Sequence, residues 1–300
     1  MANANGWGDG ASNNNIGWGQ GANNAISWGD IHADSWAGAT DIVGITTPPV
    51  DPDAQAFITA AAITNPTQQG AINTLVLALK GYNIWTKFKA IYPIVGGTAS
   101  SHKYNLKDPR DLDVAFRLTY GTGVTHSSTG MVGNGTSGFA NTYFNPTTGF
   151  SVNDNVHLSY YSRTNANSTQ LEMGSAISGV GPYLMLWIRD SNNSRFVMNV
   201  GGSYATASDT DSRAFYIGNR IGTSEKGFRN NINVASRTSV GNLRPNFNIY
   251  LLAANYGGIT SFYSTKECAF ASIGDGLTDT EAANFYTAVQ NFNTALARQV

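Results

Sequence analysis

The chain has 300 residues, of which only 12% are charged, against about 25% in ordinary soluble domains, while 33 are Gly and 32 are Asn. Hydrophobic residues at 41% and aromatics at 11% supply core for one large domain or two modest ones and exclude wholesale disorder. With 18 basic against 19 acidic residues there is no cation surplus to displace counterions from phosphate, which excludes a nucleic-acid binder.

The charge is unevenly spread. No Lys or Arg precedes Lys80, and the acids up to Leu79 are Asp9, Asp30, Asp34, Asp41, Asp51 and Asp53, a net −6; the remainder, with 18 basic and 13 acidic residues, carries +5. Such a split suits head-to-tail contacts between copies or docking onto a larger assembly, and it equally suits a polar arm beside a mixed-charge domain. Met1 to Gly10 has neither a basic n-region nor an apolar h-region, so no secretory signal is expected. No apolar run approaches the roughly 20 residues that span a bilayer, and the best, Tyr183 to Ile188, is strand-sized.

The first forty residues hold a degenerate repeat: Gly6-Trp7-Gly8, Gly17-Trp18-Gly19, Ser27-Trp28-Gly29 and Ser35-Trp36-Ala37, separated by Asn- and Ala-rich stretches. A period of about ten with one indole per unit is too short for a helical solenoid. Such a segment cannot bury four indoles by itself. Trp7, Trp18, Trp28 and Trp36 are therefore expected to form an assembly interface with another subunit, the alternative being that the arm folds back on its own domain. This arm, residues 1–46, is read as an attachment or oligomerisation segment.

A Pro-rich stretch, Thr47 to Pro52, leads into residues 47–95, expected to be a small helical connector. Asp51-Pro52 reads as an N-cap with Pro at the first helical position, opening a helix to about Ile63; Asn65-Pro66 repeats the device for a helix through Leu79, closed by Gly81. Ile72, Leu75, Val76 and Leu79 form its apolar stripe. A third short helix is expected over Tyr82–Tyr92, with Trp85, Phe88 and Tyr92 on one side.

From Leu112 the period changes to two. Leu112, Val114, Phe116, Leu118 and Tyr120 alternate with more polar residues, the pattern of a half-buried strand. Further strands are predicted at Val156–Tyr161, Tyr183–Arg189, Arg195–Val200, Arg213–Gly218, Asn248–Ala254 and Ser261–Ile273. No helices intervene, so the fold class is mainly β: an antiparallel jelly-roll sandwich over 96–300, with an extended N-terminal arm, the small helical subdomain and a C-terminal helix. That helix opens on the capping box Thr278-Asp279-Thr280-Glu281 and carries Ala282, Phe285, Tyr286, Val289, Phe292 and Leu296 on its apolar face.

Catalytic motifs are sparse. Gly121-Thr122-Gly123 meets His126 where a dinucleotide fingerprint needs glycine, and neither a Walker loop nor Gly-x-Ser-x-Gly occurs. His32, His102, His126 and His157 lack paired metal spacing and read as surface or loop residues; Cys268 reads as a core thiol. Asp108 and Asp111 are weak candidates for calcium, but Lys107 and Arg110 among them favour a salt-bridged lead-in to a strand. A retaining glycosidase places two carboxylates about 5 Å apart, and Glu172, Glu225, Glu267 and Glu281 offer no pair at alternate positions of one strand. The expectation is a protein that is not an enzyme and needs no cofactor.

The stretch Cys268 to Ala282, a strand followed by a Leu-Thr-x-x-Glu turn into a helix, resembles the end of concanavalin A-like, laminin G-like jelly rolls. The Gly-Trp-Gly repeats, Asp51 to Phe57 and Gly96 to Lys103 together resemble structural proteins of tailed bacteriophage virions, of the fibre, spike or appendage sort. That resemblance implies a virion component anchored by its arm to other virion proteins, homotrimeric, presenting the jelly roll for host-surface adhesion, with a host glycan as a possible ligand, or for particle decoration. The alternative is a stand-alone carbohydrate-binding module or glycosidase of the jelly-roll class, which would require a sugar-stacking aromatic platform or a carboxylate pair.

Overall fold

The computed structural model describes residues 49–179, 181–202, 204–241 and 243–300; Trp7, Trp18, Trp28 and Trp36 lie outside them. Residues 50–300 form one unit, opening on two helices begun as their sequences dictate. The Asp51 carboxylate accepts from the Asp53 amide and Pro52 opens α1 (Pro52–Ala60); the Asn65 side chain accepts from the Gln68 amide and Pro66 opens α2 (Pro66–Gly81). The third expected helix is not formed. A single 3₁₀ turn at Trp85–Lys87 runs into strand β1 (Phe88–Tyr92), which pairs antiparallel with the last strand of the chain. The three-and-four spacing of Trp85, Phe88 and Tyr92 loses to that pairing, in which Ile91 and Tyr92 are fully buried on opposite faces of the sheet.

A one-turn helix, α3 (Ala99–His102), is capped by Thr98. The strand predicted from Leu112 to Tyr120 shrinks to β2 (Thr119–Tyr120): Asp113–Ala115 form a 3₁₀ turn, Phe116 has φ +61°, and Leu112 and Val114 are 48% and 74% exposed. Arg117 bridges Asp111 and Asp113 there, and these side-chain ties hold a turn that no neighbouring strand contests.

Short strands β3 (Val124–His126), β4 (Met131–Gly133) and β5 (Ala140–Asn141) and the turn α4 (Pro146–Gly149) precede the long strands. These are β6 (Asn155–Ser162), β7 (Met173–Ala176), β8 (Tyr183–Asp190), β9 (Asn193–Val200), β10 (Ala205–Ser208), β11 (Ala214–Ile221), β12 (Ser224–Arg229) and β13 (Ile232–Thr238). The chain finishes with β14 (Tyr250–Leu251), β15 (Ala254–Tyr256), β16 (Ile259–Ser261), β17 (Cys268–Gly274) and α5 (Asp279–Ala295). The first sheet runs β13-β12-β11-β6-β17-β4-β3, with β1 also on β17; the second runs β10-β9-β8-β7-β14-β5-β2, with β15 beside β7 and β16 on its edge. Every pairing is antiparallel except β15 on β7, so the fold is a mainly β antiparallel sandwich.

Strand alternation divides the core in three. Between the sheets, Leu158, Tyr160 and Tyr216 of the first meet Leu184, Leu186 and Met198 of the second. On the outer side of the first sheet, Tyr161, Phe215 and Phe270 pack beneath α1, α2 and α5. Phe285 of α5 is the centre, 4.7 Å from Phe88 and 5.1 Å from Phe215 between ring centroids. The capping box of α5 is formed as predicted, the Thr278 hydroxyl accepting from the Glu281 amide and the Glu281 carboxylate from the Thr278 amide. On the outer side of the second sheet lies a smaller cluster around Tyr183, Met185 and Val197, which no helix covers among the described residues. Among those residues no helix is long and apolar enough to cross a membrane.

Candidate functional site

The sequence-predicted candidates are taken up by the fold. The Asp108 carboxylate is engaged by Arg110, and Asp111 by Lys103 and Arg117, and these cations hold both carboxyls below the usual carboxylate range. The salt-bridged arrangement is formed, though on a turn and not a strand, and no cluster of three metal-ligating groups occurs among the described residues. Cys268 is a buried free thiol, pushed up to about 12 by that burial. Glu172 and Glu225 are wholly buried against Lys266 and Arg220, at 2.9 and 3.0 Å, while Glu267 meets Arg163 and Glu281 meets Lys87.

The reading of the histidines as separate surface or loop residues is corrected. His102 and His157 are buried, and His102 Nδ1 lies 3.0 Å from His126 Nδ1. The Gly97 amide donates to His102 Nε2, so the His102 proton sits on Nδ1 and is shared toward His126. His157 Nδ1 is 2.6 Å from the Asp275 carbonyl and its Nε2 is 3.1 Å from Ser272 Oγ. Burial draws His102 down to about 3 and His157 to about 4, so both rings are neutral at pH 7. His32 lies outside the described residues.

What sequence reasoning missed is on the outer face of the second sheet. Along β8, Leu184, Leu186 and Ile188 point into the sandwich, so Tyr183, Met185 and Trp187 point out. Trp187 lies 5.8 Å from Tyr204, which leads into β10, and 6.4 Å from Phe262, just past β16. Phe262 is 5.9 Å from Tyr256 of β15, which lies 6.3 Å from Tyr183 with the rings within 11° of parallel. Five rings thus form a continuous band, Tyr204–Trp187–Phe262–Tyr256–Tyr183. Tyr204 and Phe262 are 39% and 42% exposed, and Ile259, paired with Tyr256 on the same face, is 70% exposed.

Polar groups border the band. Arg195 is the cross-strand partner of Trp187 and forms an ion pair with Asp190; Thr206 is the next residue across. The Tyr183 hydroxyl donates to the Gly179 carbonyl at 2.5 Å, and the Gly179 amide donates to the Tyr256 hydroxyl at 3.1 Å. Burial pushes the Tyr183 phenol up to about 12, whereas the Gly179 amide draws that of Tyr256 down. These bonds fix both rings. A shallow cleft of about 310 Å³ lies elsewhere, lined by Asn219, Lys226, Leu277 and Asp279, and the Lys226–Asp279 ion pair occupies its polar side.

No family model matches the chain, and no curated protein matches it. Among solved structures, it is similar to a mutant of Trypanosoma rangeli sialidase displaying trans-sialidase activity, at TM-score 0.50 and 9% identity over 75% of this chain and 39% of that one. It is also similar to the Trypanosoma rangeli sialidase in complex with sialic acid (TM-score 0.47, 9% identity, 66% of this chain and 32% of that one). A third is the NanB sialidase from Streptococcus pneumoniae (TM-score 0.37, 14% identity, 46% and 24%). The chain spans about two-fifths of the first of these proteins, and the likeness is one of fold. The expectation that the chain is not an enzyme is thereby corrected: its sandwich has its counterpart within a glycoside-processing enzyme, which a search for paired glutamates alone could not anticipate.

Proposed function

We propose that the chain is a glycan-recognition β-sandwich whose binding face is the aromatic band on the outer side of the second sheet. The observation that carries the reading is the five-ring run from Tyr204 to Tyr183, exposed at Tyr204 and Phe262 and bordered by Arg195, Asp190 and Thr206. The C–H face of a pyranose packs on an indole or phenol ring, and hydroxyls around the sugar rim need planar polar partners such as a carboxylate or guanidinium. A soluble domain rarely leaves such a surface bare unless it binds something. The likeness in fold to the trans-sialidase mutant supports this reading. The test is a glycan array with the full-length protein and the Trp187→Ala variant. Wild-type binding lost in the variant supports the reading, and no wild-type binding to any glycan overturns it. Release of reducing ends from a bound glycan would extend the reading from binding to cleavage.

The specific setting we propose is a tailed-bacteriophage virion appendage, a fibre, spike or other particle component, that presents this face to the host surface. The support is in the sequence: the repeated Trp7, Trp18, Trp28 and Trp36, the cation-free first 79 residues, and the resemblance of the motifs quoted above. Removal of residues 1–46 is expected to abolish both trimer formation and incorporation into particles, read by light scattering and electron microscopy. Unchanged assembly would dismiss this setting while leaving the glycan face untouched.

A further inference from the structure

We infer that the glycan is a neutral oligosaccharide chain whose successive sugars rest on Tyr204, Trp187 and Phe262; the inference rests on the glycan reading above and names the class of its ligand. The five rings of the band come from three stretches of sequence, 173–188, 196–208 and 245–265, none of which contains an Asp, Glu, Lys, Arg or His, although 12% of the whole chain is charged. At the border of the band, Arg195 stands opposite Trp187 across the strands and is neutralised by Asp190. Arg189 lies beyond the bulge between β8 and β9, off this face, and is held by Asn165 and Asn192. Among the described residues the face therefore has no unpaired cation for a carboxylate or sulfate. An anion laid on it would meet the negative π-faces of the rings and would lose water without gaining a counter-charge. Sugar hydroxyls meet neither cost. The Arg195–Asp190 pair has no net charge yet offers donors and acceptors together, and Thr206 adds an exposed hydroxyl beside it.

The tilt of the rings sets the length of the ligand. Tyr204 and Trp187 are inclined at 52° with centroids 5.8 Å apart, and Trp187 and Phe262 at 70° with centroids 6.4 Å apart. A pyranose lies flat on one ring at a time, so a sugar stacked on Trp187 cannot also stack on either neighbour at these angles. In the sheet, Tyr204 leads into β10 on one side of β8, and Phe262 follows β16 on the other. The two rings that are open to solvent thus flank Trp187 as separate platforms, and only the preceding and following sugars of a chain reach both. The chain then crosses the strands and does not run along β8. Tyr183 and Tyr256 act differently. Tyr183 is buried, and Tyr256 is pinned by the Gly179 amide and packs 5.9 Å from Phe262, so the pair backs that ring and does not carry a sugar of its own.

Neutral oligosaccharides of one to five sugars, with carboxylate- and sulfate-bearing counterparts of the same chains, test this on full-length wild type, Tyr204→Ala, Phe262→Ala and Trp187→Ala. Wild type is expected to bind the neutral chains with an affinity that rises about two- to tenfold for each ring gained, from one sugar to three, and then levels. That affinity should not change as salt is raised, and the acidic counterparts should bind more weakly. Tyr204→Ala and Phe262→Ala should each remove one step of the rise while leaving binding of the single sugar unchanged, and Trp187→Ala should remove binding of every length. The chain-length and salt series need only wild type, so they decide the matter even if a variant does not fold. Tighter binding of the acidic forms, affinity that falls with salt, or equal affinity for one sugar and three overturns the inference, while loss in a folded Trp187→Ala still upholds the glycan face. Absence of any wild-type binding overturns both.

Discussion

The two sheets have opposite fates on their outer sides. Both present alternate apolar residues outward, Tyr161, Phe215 and Phe270 on the first and Tyr183, Met185 and Trp187 on the second. On the first, α1, α2 and α5 roof that surface, and Phe285 locks the roof to the sheet. On the second, Tyr183 and Met185 are also buried, though no helix lies over them among the described residues, and the rings left open to solvent are Tyr204 and Phe262. The difference teaches that apolar alternation on both faces of a strand has two resolutions, a cover built from the same chain or a binding surface. On the proposed reading, stability belongs mostly to the covered face and recognition to the open one.

The sharpest way to break that division is Phe285→Ala. It leaves a cavity where Phe88, Phe215 and Phe270 converge, and should destabilise by about 3–5 kcal/mol in urea unfolding, with glycan binding intact below the transition. Lys266→Met comes next, leaving the Glu172 carboxylate fully buried without its 2.9 Å partner, at about 3–5 kcal/mol unless Glu172 protonates, which its burial already favours.

Acid probes the covered face through His157, which packs 5.2 Å from Phe88 and 5.9 Å from Phe285. Its folded value, about 4, lies below the ordinary 6.5, so between these values the unfolded chain binds the proton and the folded one does not. The stability it contributes is complete above pH 6.5 and is lost as the pH falls to about 4. The loss amounts to about 3 kcal/mol at most, and His102, drawn to about 3, adds a loss of the same sign. Urea midpoints measured across this range should fall toward acid, and a His157→Gln variant that folds should show a shallower fall. Removing the helix cap with Thr278→Ala should cost about 1 kcal/mol, read as a shift in Tm. Smallest in stability and largest in function is Trp187→Ala, expected at roughly 1–2 kcal/mol because the ring is only half-buried.

The elements that could be read in advance were those fixed by local chemistry. Asp51-Pro52, Asn65-Pro66 and Thr278 with Glu281 each cap a helix through side chain-to-amide bonds within a few residues, so the signal is contained in the segment itself. The long strands β6, β8, β9 and β11 were visible as apolar runs. Residues 88–92 and 112–120 were misread because their conformation depends on a partner 180 residues away in one case and on the lack of a partner strand in the other. Strands β12 and β13 escaped because Lys226, Gly227 and the exposed polar residues of β13 leave no alternating pattern.

The aromatic band was illegible for a different reason. Its five rings come from four separate segments between Tyr183 and Phe262, and only sheet pairing brings them together. One local hint was present: Tyr183 to Ile188 is apolar at both parities, which marks a strand with two faces to satisfy. The His102–His126 contact is likewise a product of α3 and β3 meeting, the two residues standing 24 positions apart in sequence.

The most direct test is to titrate a glycan identified on the array against full-length wild type and Trp187→Ala by calorimetry, with urea unfolding of both run in parallel. The open-face account predicts that the variant stays folded with only a modest loss of stability while its binding falls below detection. Binding retained in a folded Trp187→Ala would contradict it.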